Sequence, residues 1–444
     1  MDSIAAPPIL MRPKHRSETA LKEGRKVFPD GTSRVTIERD GGVIYAKRGE
    51  GAFLVDVDGN RFLDLNNNFT TLIHGHAYPP VVAAVSKLLM DGSCFANPTE
   101  HEIELAALLV ERIPAIEHVR FVNSGTEAVM FAIKAARALT GKPGLVRFEG
   151  SYHGSYDWAE VGQSNNPNNW GPEQRPAAVS SFSGTPDDVG RKVTVLPFND
   201  VDALEQGLSA VAHETACILI DVMPSRAGLI EPASAFITAL MELARRHSIL
   251  IISDEVLNLR QGYHGASERF GLIPDLITAG KIIGGGFPIG AIGGSKEMMS
   301  VFSAEHGRPG VPQGGTFSAN PVSMVAGLTT MTALTKDAFI RLEDLGEQMR
   351  KGLRNVIAKH GAPFCVTGSA SLFRIHPRPT PPRNYRDAYT TNAQADTMRR
   401  LGRHAAAHGI LLPSGASACL STAMGPSDIE HLIDVFDAFL SQSF

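Results

Sequence analysis

The spacing of hydrophobic and polar positions changes along the chain. Between Val43 and Leu65 the two kinds of residue alternate around the turn signal Asp58-Gly59, so hairpin strands are expected there. From Glu100 onward, short apolar runs alternate with longer helical runs. This pattern predicts strands at residues 118–122, 144–148, 193–196, 217–222 and 249–253. Because strands that alternate with helices form βαβ units, we expect a mostly parallel sheet with helices on both faces.

The two ends of the chain lack this regular alternation. The first residues mix proline, arginine and histidine, and the C-terminal part combines helical patterns with short strands near 366 and 372–375. A chain of 444 residues also exceeds the usual size of a single core. We therefore expect an N-terminal arm and part of a smaller α+β domain at 1–75, a large domain at 76–335, and the rest of the smaller domain at 336–444.

Composition narrows the class of protein. Hydrophobic residues make up 43% and charged residues 20%, as in ordinary globular proteins, and the net charge is -4 with no basic block, so a nucleic-acid partner is not expected. No apolar run reaches about 18 residues, so no membrane span is expected. Four widely separated cysteines and an N-terminus without the apolar core of a secretory signal favour a cytoplasmic location.

Candidate chemistry is concentrated between residues 249 and 294. An apolar run delivers Asp254-Glu255, and the next apolar run delivers Lys281, which precedes three glycines. Ligands of open α/β sheets bind beyond the carboxyl ends of the strands, so the carboxylate and the lysine can share one crevice. A lysine at such a position is by itself more often a solvated surface charge, and the remaining motifs decide between the two interpretations.

A second candidate lies at a strand-to-helix junction, at Ser124-Gly125-Thr126. Free backbone N–H groups and the helix dipole make such a junction an anion site, although Ser124 alone could be an ordinary N-cap. Neither a P-loop nor a GxGxxG fingerprint occurs. A lysine, a carboxylate, a phosphate site and an aromatic residue such as Tyr152 are the groups that pyridoxal phosphate requires.

Two further features are open to a structural or a functional interpretation. His74-Gly75-His76 has a spacing that can hold a metal, but no third ligand lies nearby in the sequence, so packing of a loop is favoured and no metal is expected. The segment 162–192 is rich in Asn, Pro, Ser and Gly and is predicted to be a long functional or mobile loop.

Five motifs in order, NSGTEA, FEGSYHG, SDEV, TAGKIIGGGFPIGAIGG and GGTF, resemble those of the class III aminotransferases, which have pyridoxal-phosphate fold type I. Within that class the chain is most similar to glutamate-1-semialdehyde aminomutase and to aminotransferases of β-amino acids and D-phenylglycine. The resemblance extends from about Phe28 to the end of the chain. It implies a seven-stranded, mostly parallel sheet in the large domain, a pyridoxal 5'-phosphate cofactor and an obligate homodimer with shared active sites.

The resemblance also implies a role for each matching position. Lys281 would form the Schiff base and move protons, and Asp254 would pair with the pyridine nitrogen. Val256 and Tyr152 would lie on the two faces of the ring, with His153 beside it. The remaining implied contacts are the phosphate with Ser124, Gly125 and Thr126, the phosphate of the second subunit's site with Thr316, and a substrate carboxylate with Arg34.

Three departures from the family pattern concern the substrate. Asp221 stands where many relatives have glutamate before proline, and it would serve the cofactor with a shorter arm. Gly415 stands where the β-amino acid and D-phenylglycine enzymes carry arginine, and the aminomutase glutamate would fall close to Ala416. The leading prediction is a ping-pong aminotransferase that acts on an amino donor and a carbonyl acceptor. The alternatives are an intramolecular amino shift of the aminomutase type, and a binding protein that has lost the chemistry.

Overall fold

The structure is a computed structural model that describes residues 11–413, 415 and 417–443. Its centre is a seven-stranded sheet, as expected from the resemblance. In order across the sheet, the strands are His118–Val122, Gly290–Gly294, Leu276–Gly280, Leu250–Asp254, Thr215–Ile220, Gly144–Phe148 and Val193–Leu196. Only Gly290–Gly294 runs antiparallel to its neighbours, so the predicted mostly parallel sheet is confirmed.

The strand Gly290–Gly294 has no counterpart in the hydrophobic pattern because three of its five residues are glycine. Its backbone is tightly enclosed: a Cβ atom on Gly293 would lie 2.6 Å from Ile116, and one on Gly290 would overlap the carbonyl of Ser124. Glycine inside a strand is typical of such close backbone approaches. The strand therefore lies between the Ser124 junction and the strand that leads to Lys281.

Helices cover both faces of the sheet. In chain order the helices are His15–Gly24, Pro79–Leu88, Glu100–Arg112, Gly125–Thr140, Asp157–Glu160, Asp187–Lys192, Val201–Val211, Ser234–His247, Ala266–Arg269, Lys296–Met299, Pro321–Ala333, Lys336–His360, Tyr385–Ala388, Asn392–Ala407 and Pro426–Ser443. Short 3-10 turns lie at Asn258–Gln261, Lys281–Gly284 and Ser300–Phe302. The prediction of an unbroken loop over 162–192 was wrong at its end, because Asp187–Lys192 is helical and buries Val189. No helix in the described part of the chain is long and apolar enough to cross a membrane.

Two smaller sheets lie outside the central one, and the first of them combines the two ends of the chain. The N-terminal strands Ala46–Glu50, Phe53–Asp56 and Arg61–Asp64 are joined by the C-terminal strand Ile410–Leu411, which pairs in parallel with the third of them. A second sheet contains Cys365–Thr367, Leu372–His376 and Ala418–Cys419. The two termini thus build one α+β region, as expected. The boundaries proposed at residues 75 and 335 stay a prediction.

Candidate active site

Asp254 and Lys281 lie at the carboxyl ends of adjacent parallel strands, as the sequence predicts. Asp254 is the last residue of its strand and pairs in register with Thr278, and Lys281 follows the end of the neighbouring strand directly. The two side chains are close enough for the Asp254 charge to raise the pKa of Lys281. The other acid of the pair, Glu255, is buried and accepts hydrogen bonds from the backbone of Ala266 and Ser267, each at 2.8 Å.

The backbone turns sharply at the lysine. Lys281 has a φ of 49°, in the left-handed region that residues other than glycine rarely adopt. Such conformations concentrate at functional sites, where the surrounding structure holds them in place. Gly285 and Gly286 continue the turn, with φ angles of 59° and 96°. The backbone is tightly packed there, since a Cβ atom on Gly285 would lie 2.6 Å from the Thr330 hydroxyl and would overlap the carbonyl of Ala326.

The Asp254 carboxylate is held by three donors. His153 Nδ1 lies 2.7 Å from Oδ2, and the Thr278 hydroxyl and the Val256 backbone N–H each donate to Oδ1 at 3.1 Å. Burial lowers the pKa of His153, although the hydrogen bond to Asp254 opposes the shift. A neutral His153 that bonds an anion must carry its proton on Nδ1, and its Nε2 atom has no partner within the described chain.

Lys281 makes no direct hydrogen bond or ion pair with another described residue. Its surroundings lower the pKa to about 8, because the loss of solvent outweighs the opposing charges of Asp254 and Asp221. Asp221 is itself buried, and the loss of solvent together with the Asp254 charge raises its pKa to about 8. Its carboxylate accepts hydrogen bonds from the Met223 backbone, at 2.9 Å, and from the Asn258 side chain. A lysine with a lowered pKa is suited to nucleophilic and proton-transfer chemistry.

The Ser124-Gly125-Thr126 junction has the features of both an N-cap and an anion site, the two interpretations that the sequence left open. Ser124 is the N-cap of helix Gly125–Thr140, and its hydroxyl accepts a hydrogen bond from the Glu127 N–H at 3.2 Å. The N–H groups of Gly125 and Thr126 have no acceptor among the described residues. A Cβ atom on Gly125 would lie 2.8 Å from Val256, so only glycine lets the helix start directly above that side chain.

The other predicted site residues are more exposed. Tyr152 is 54% exposed, next to the buried His153. Thr316 is exposed beside a cavity of about 560 Å³ that is also lined by Cys94 and Phe95. Arg34 lies 3.4 Å from Asn68 Oδ1, with its guanidinium 6.0 Å from the centre of the Phe69 ring. Both contacts leave most of the arginine free, as a residue that binds a ligand requires.

The segment Asn67–Thr70, which contacts Arg34, is one turn of left-handed helix with all four φ angles between 46° and 72°. The fully buried Arg260 holds this turn by donating to the Thr70 carbonyl at 3.0 Å, and its charge also lowers the pKa of Lys281. Sequence reasoning missed Thr278, Asn258 and Arg260. Thr278 is three positions before the lysine, and the other two residues follow Asp254 within six residues. Their positions next to the two strand ends could have indicated that they belong to the site.

The two histidines of the early loop are engaged by protein groups. His74 bonds the Thr422 hydroxyl at 2.7 Å and the Thr330 carbonyl at 3.0 Å, and its ring stacks on Tyr78. His76 Nε2 lies 2.8 Å from Asp64. These contacts join the N-terminal loop to the C-terminal region, which is the packing role favoured from the sequence.

Comparisons with known proteins agree with this geometry. The model of the class III aminotransferase family matches residues 36–415. The chain belongs to the class III aminotransferases. It is 35% identical to the glutamate-1-semialdehyde 2,1-aminomutase of Methanobrevibacter smithii over 96% of this chain and 99% of that protein.

Two solved structures are also similar over nearly the full length. An omega-transaminase from Sphaerobacter thermophilus has a TM-score of 0.93 and 46% identity, over 96% of this chain and 97% of that one. A transaminase with pyridoxal phosphate bound has a TM-score of 0.90 and 36% identity, over 97% and 98% of the two chains. These similarities confirm fold type I.

Pyridoxal phosphate is the cofactor of this class III enzyme, and the residues present fit it. The amide groups at Gly125 and Thr126 are free to receive a phosphate, and the missing Cβ of Gly125 leaves Val256 in place beneath them. Lys281 has a lowered pKa and no direct protein partner, and the unpartnered Nε2 of His153 lies beside the Asp254 carboxylate network.

Proposed function

We propose that the protein is an aminotransferase that moves an amino group from an amine or amino acid to a carbonyl acceptor by a ping-pong mechanism. The observation that carries the proposal is Lys281, with its lowered pKa and no direct protein partner, next to Asp254 at the carboxyl ends of adjacent strands. When bound, the cofactor supplies an electron sink for the negative charge left by proton loss from the substrate. The 46% identical omega-transaminase supports the transfer reaction over the alternative.

The residues divide the work as follows. Lys281 would hold the cofactor covalently between turnovers, and its neutral Nζ is suited to take a proton from the substrate carbon and to return it. Asp254 would pair with the pyridine nitrogen, and three donors, one of them His153, fix the orientation of its carboxylate. Asp221 adds a second carboxyl group beside the lysine, with Asn258 fixing its orientation.

The remaining contacts complete the binding site. Ser124, Gly125 and Thr126 would hold the phosphate, and Tyr152 and Val256 would contact the ring of the cofactor. Arg34 receives a substrate carboxylate, since its guanidinium is partly free and is held at the left-handed turn beside Arg260. Small-molecule donors and acceptors are the only partners that this site requires besides a second subunit.

We also propose that the active unit is a homodimer in which Thr316 reaches the phosphate site of the partner. Large apolar side chains are exposed here: Phe95, which lines the cavity beside Thr316, is 49% exposed, and Phe317, the next residue in the chain after Thr316, is 60% exposed. Exposed apolar side chains of this size are typical of a surface that another protein covers. We propose the cytoplasm as the location of this dimer.

An intramolecular amino shift is the second candidate, because two relatives that are 35% and 36% identical over 96% of this chain bear the name glutamate-1-semialdehyde 2,1-aminomutase. Against it stands the sequence near Ala416, which lacks the aminomutase glutamate. Ala416 itself lies outside the described residues. Gly415 is described, with a φ of 66° and open space where a side chain would be, so the position offers no polar group of its own.

The two candidates differ in their half-reactions. Purified protein loaded with pyridoxal phosphate is mixed with single amino donors under conditions without acceptor, and its visible spectrum and released products are followed. An aminotransferase loses its visible band with a suitable donor and releases one equivalent of ketone. An aminomutase converts glutamate-1-semialdehyde to its isomer without a second carbonyl compound, and that result would overturn the transfer reaction.

A further inference from the structure

The turn after strand Thr215–Ile220 contains Arg226, and the backbone on both sides of this arginine is hydrogen-bonded to other parts of the protein. On one side of Arg226, the Ser225 carbonyl accepts a hydrogen bond from Arg374 at 2.6 Å. On the other side, the Gly228 carbonyl accepts one from the Thr367 hydroxyl at 2.6 Å. Because both flanking positions are bonded to the smaller sheet, the backbone around Arg226 is fixed in place.

The Arg226 side chain has no partner of its own. It is half-buried, yet it makes no hydrogen bond and no ion pair within the described chain. Its charged neighbours include the buried cations Arg147 and Arg374. Burial, together with the Arg226 charge, lowers their pKa values to about 9 and about 10. A partly buried guanidinium among other cations normally has a carboxylate partner. This one lacks an anion.

The position of the turn indicates where that anion comes from. Asp221 begins the same turn and lies close enough to Lys281 to affect its pKa, and Arg147 lies similarly close to Asp254. The turn also contacts the loop around Gly415, because the Ser417 hydroxyl lies 2.6 Å from the Ser225 hydroxyl. That loop is where β-amino acid aminotransferases are expected to carry their arginine.

We propose that Arg226 binds a substrate carboxylate, supplying from the turn the guanidinium that the Gly415 loop lacks. The inference rests on the proposed aminotransferase function and names the class of ligand: the carboxylate of a 2-oxo acid acceptor or of an amino acid donor. A planar guanidinium binds such a group through two parallel hydrogen bonds. Together with Arg34 at the left-handed turn, Arg226 places carboxylate recognition on two walls of the cleft.

A purely structural role for Arg226 and a role in substrate binding predict different effects of its substitution on the melting temperature. An arginine that stabilises the fold does so through partners, and its loss lowers the melting temperature. Arg226 has repulsive neighbours instead, so Arg226→Gln should leave the melting temperature of the holoenzyme unchanged or raise it.

The test compares substrates with and without a carboxylate. Arg226→Gln, Arg226→Lys and the control Arg383→Gln, whose side chain is 80% exposed, are prepared as holoenzymes. Half-reactions with an amino acid and with a carboxylate-free amine show whether Arg226 binds the carboxylate of the amino donor. Reactions with pyruvate and with a carboxylate-free aldehyde show whether Arg226 binds the carboxylate of the carbonyl acceptor. For at least one carboxylated substrate, kcat/KM of Arg226→Gln should fall by about tenfold to a hundredfold, mostly through KM.

In the same variant, kcat/KM for the carboxylate-free amine and aldehyde should stay within about twofold of the wild type. Arg226→Lys should recover part of the lost kcat/KM, because lysine restores the positive charge but not the two parallel hydrogen bonds of a guanidinium. Arg383→Gln should leave kcat/KM unchanged for substrates with and without a carboxylate. An equal loss with both classes of substrate, or no loss with carboxylates, would overturn the role of Arg226 while leaving transamination intact. A wild-type protein that does not react with any donor would overturn the proposed function and this inference together.

Discussion

The lowered pKa of Lys281 has a direct kinetic consequence. An amine must be neutral to attack the aldehyde of pyridoxal phosphate. At pH 7 a lysine with a pKa of about 8 is neutral in about one molecule in ten. A lysine with the ordinary pKa of 10.5 is neutral in only about one in three thousand. The difference, ~300-fold in reactive amine, corresponds to ~3.4 kcal/mol between the two protonation states.

The perturbation is pH, and the assay is the rate at which cofactor-free protein gains the visible band of lysine-bound pyridoxal phosphate. Between pH 6 and pH 10 the rate should rise about tenfold per pH unit while Lys281 is mostly protonated, and it should level off above about pH 8. Nα-acetyl-lysine serves as the control for the ionisation of pyridoxal phosphate itself, and its rate should keep rising through the same range.

A second variant tests the cause of the shift. Because the Asp254 charge raises the pKa of Lys281 against the larger effect of burial, Asp254→Asn should move the break to lower pH. A wild-type rate that still rises in proportion to hydroxide at pH 10 would refute the reasoning, because Lys281 would then be an ordinary lysine.

Three further predictions concern the surrounding groups. Asp254→Asn should retain the cofactor but lower kcat by at least about a hundredfold in steady-state assays, because the pyridine nitrogen loses its anionic partner. Gly125→Ala should weaken cofactor binding by ~1–3 kcal/mol in an absorbance titration, because the new Cβ would lie 2.8 Å from Val256. Glu149→Gln should lower the free energy of unfolding by ~3 kcal/mol in denaturant, because it breaks the 2.8 Å buried ion pair with Arg386.

Two of these predictions have an informative control. Glu255→Gln, the control for Asp254→Asn, alters an acid that is bonded to the backbone of Ala266 and Ser267, so it should affect stability rather than the spectrum of the bound cofactor. Removal of the exposed Arg383, which pairs with Asp387, should leave the free energy of unfolding nearly unchanged. Equal effects at Glu149 and Arg383 would contradict the importance assigned to burial of the Arg386 pair.

The strand ends of the site could be predicted from the sequence because parallel strands converge at one edge of the sheet. Asp254 and Lys281 each follow an apolar run. Because these runs form adjacent parallel strands, the two residues lie close together. The tie between His153 and Asp254 could not be predicted in this way. The two residues are 101 positions apart, and the histidine reaches the carboxylate only because its loop folds back over the sheet.

Local strain also escapes sequence reasoning. Asn67–Thr70 contains no glycine, so nothing in its residues predicts four consecutive left-handed conformations. The turn is held by groups that are distant in sequence, including Arg260 on the Thr70 carbonyl and the Cys419 carbonyl, which accepts from Asn67 at 3.2 Å. The unpaired state of Arg226 was hidden for the same reason, because the absence of a partner is a property of packing.

The central claim is that Lys281 carries pyridoxal phosphate. Reduction of the loaded protein with borohydride, followed by digestion and mass mapping, tests it most directly. The account predicts one phosphopyridoxyl group per subunit on the peptide that contains Lys281, and none in a Lys281→Ala variant that keeps its fold. A label on another lysine of the wild type, or a wild-type protein that binds no cofactor, would contradict it.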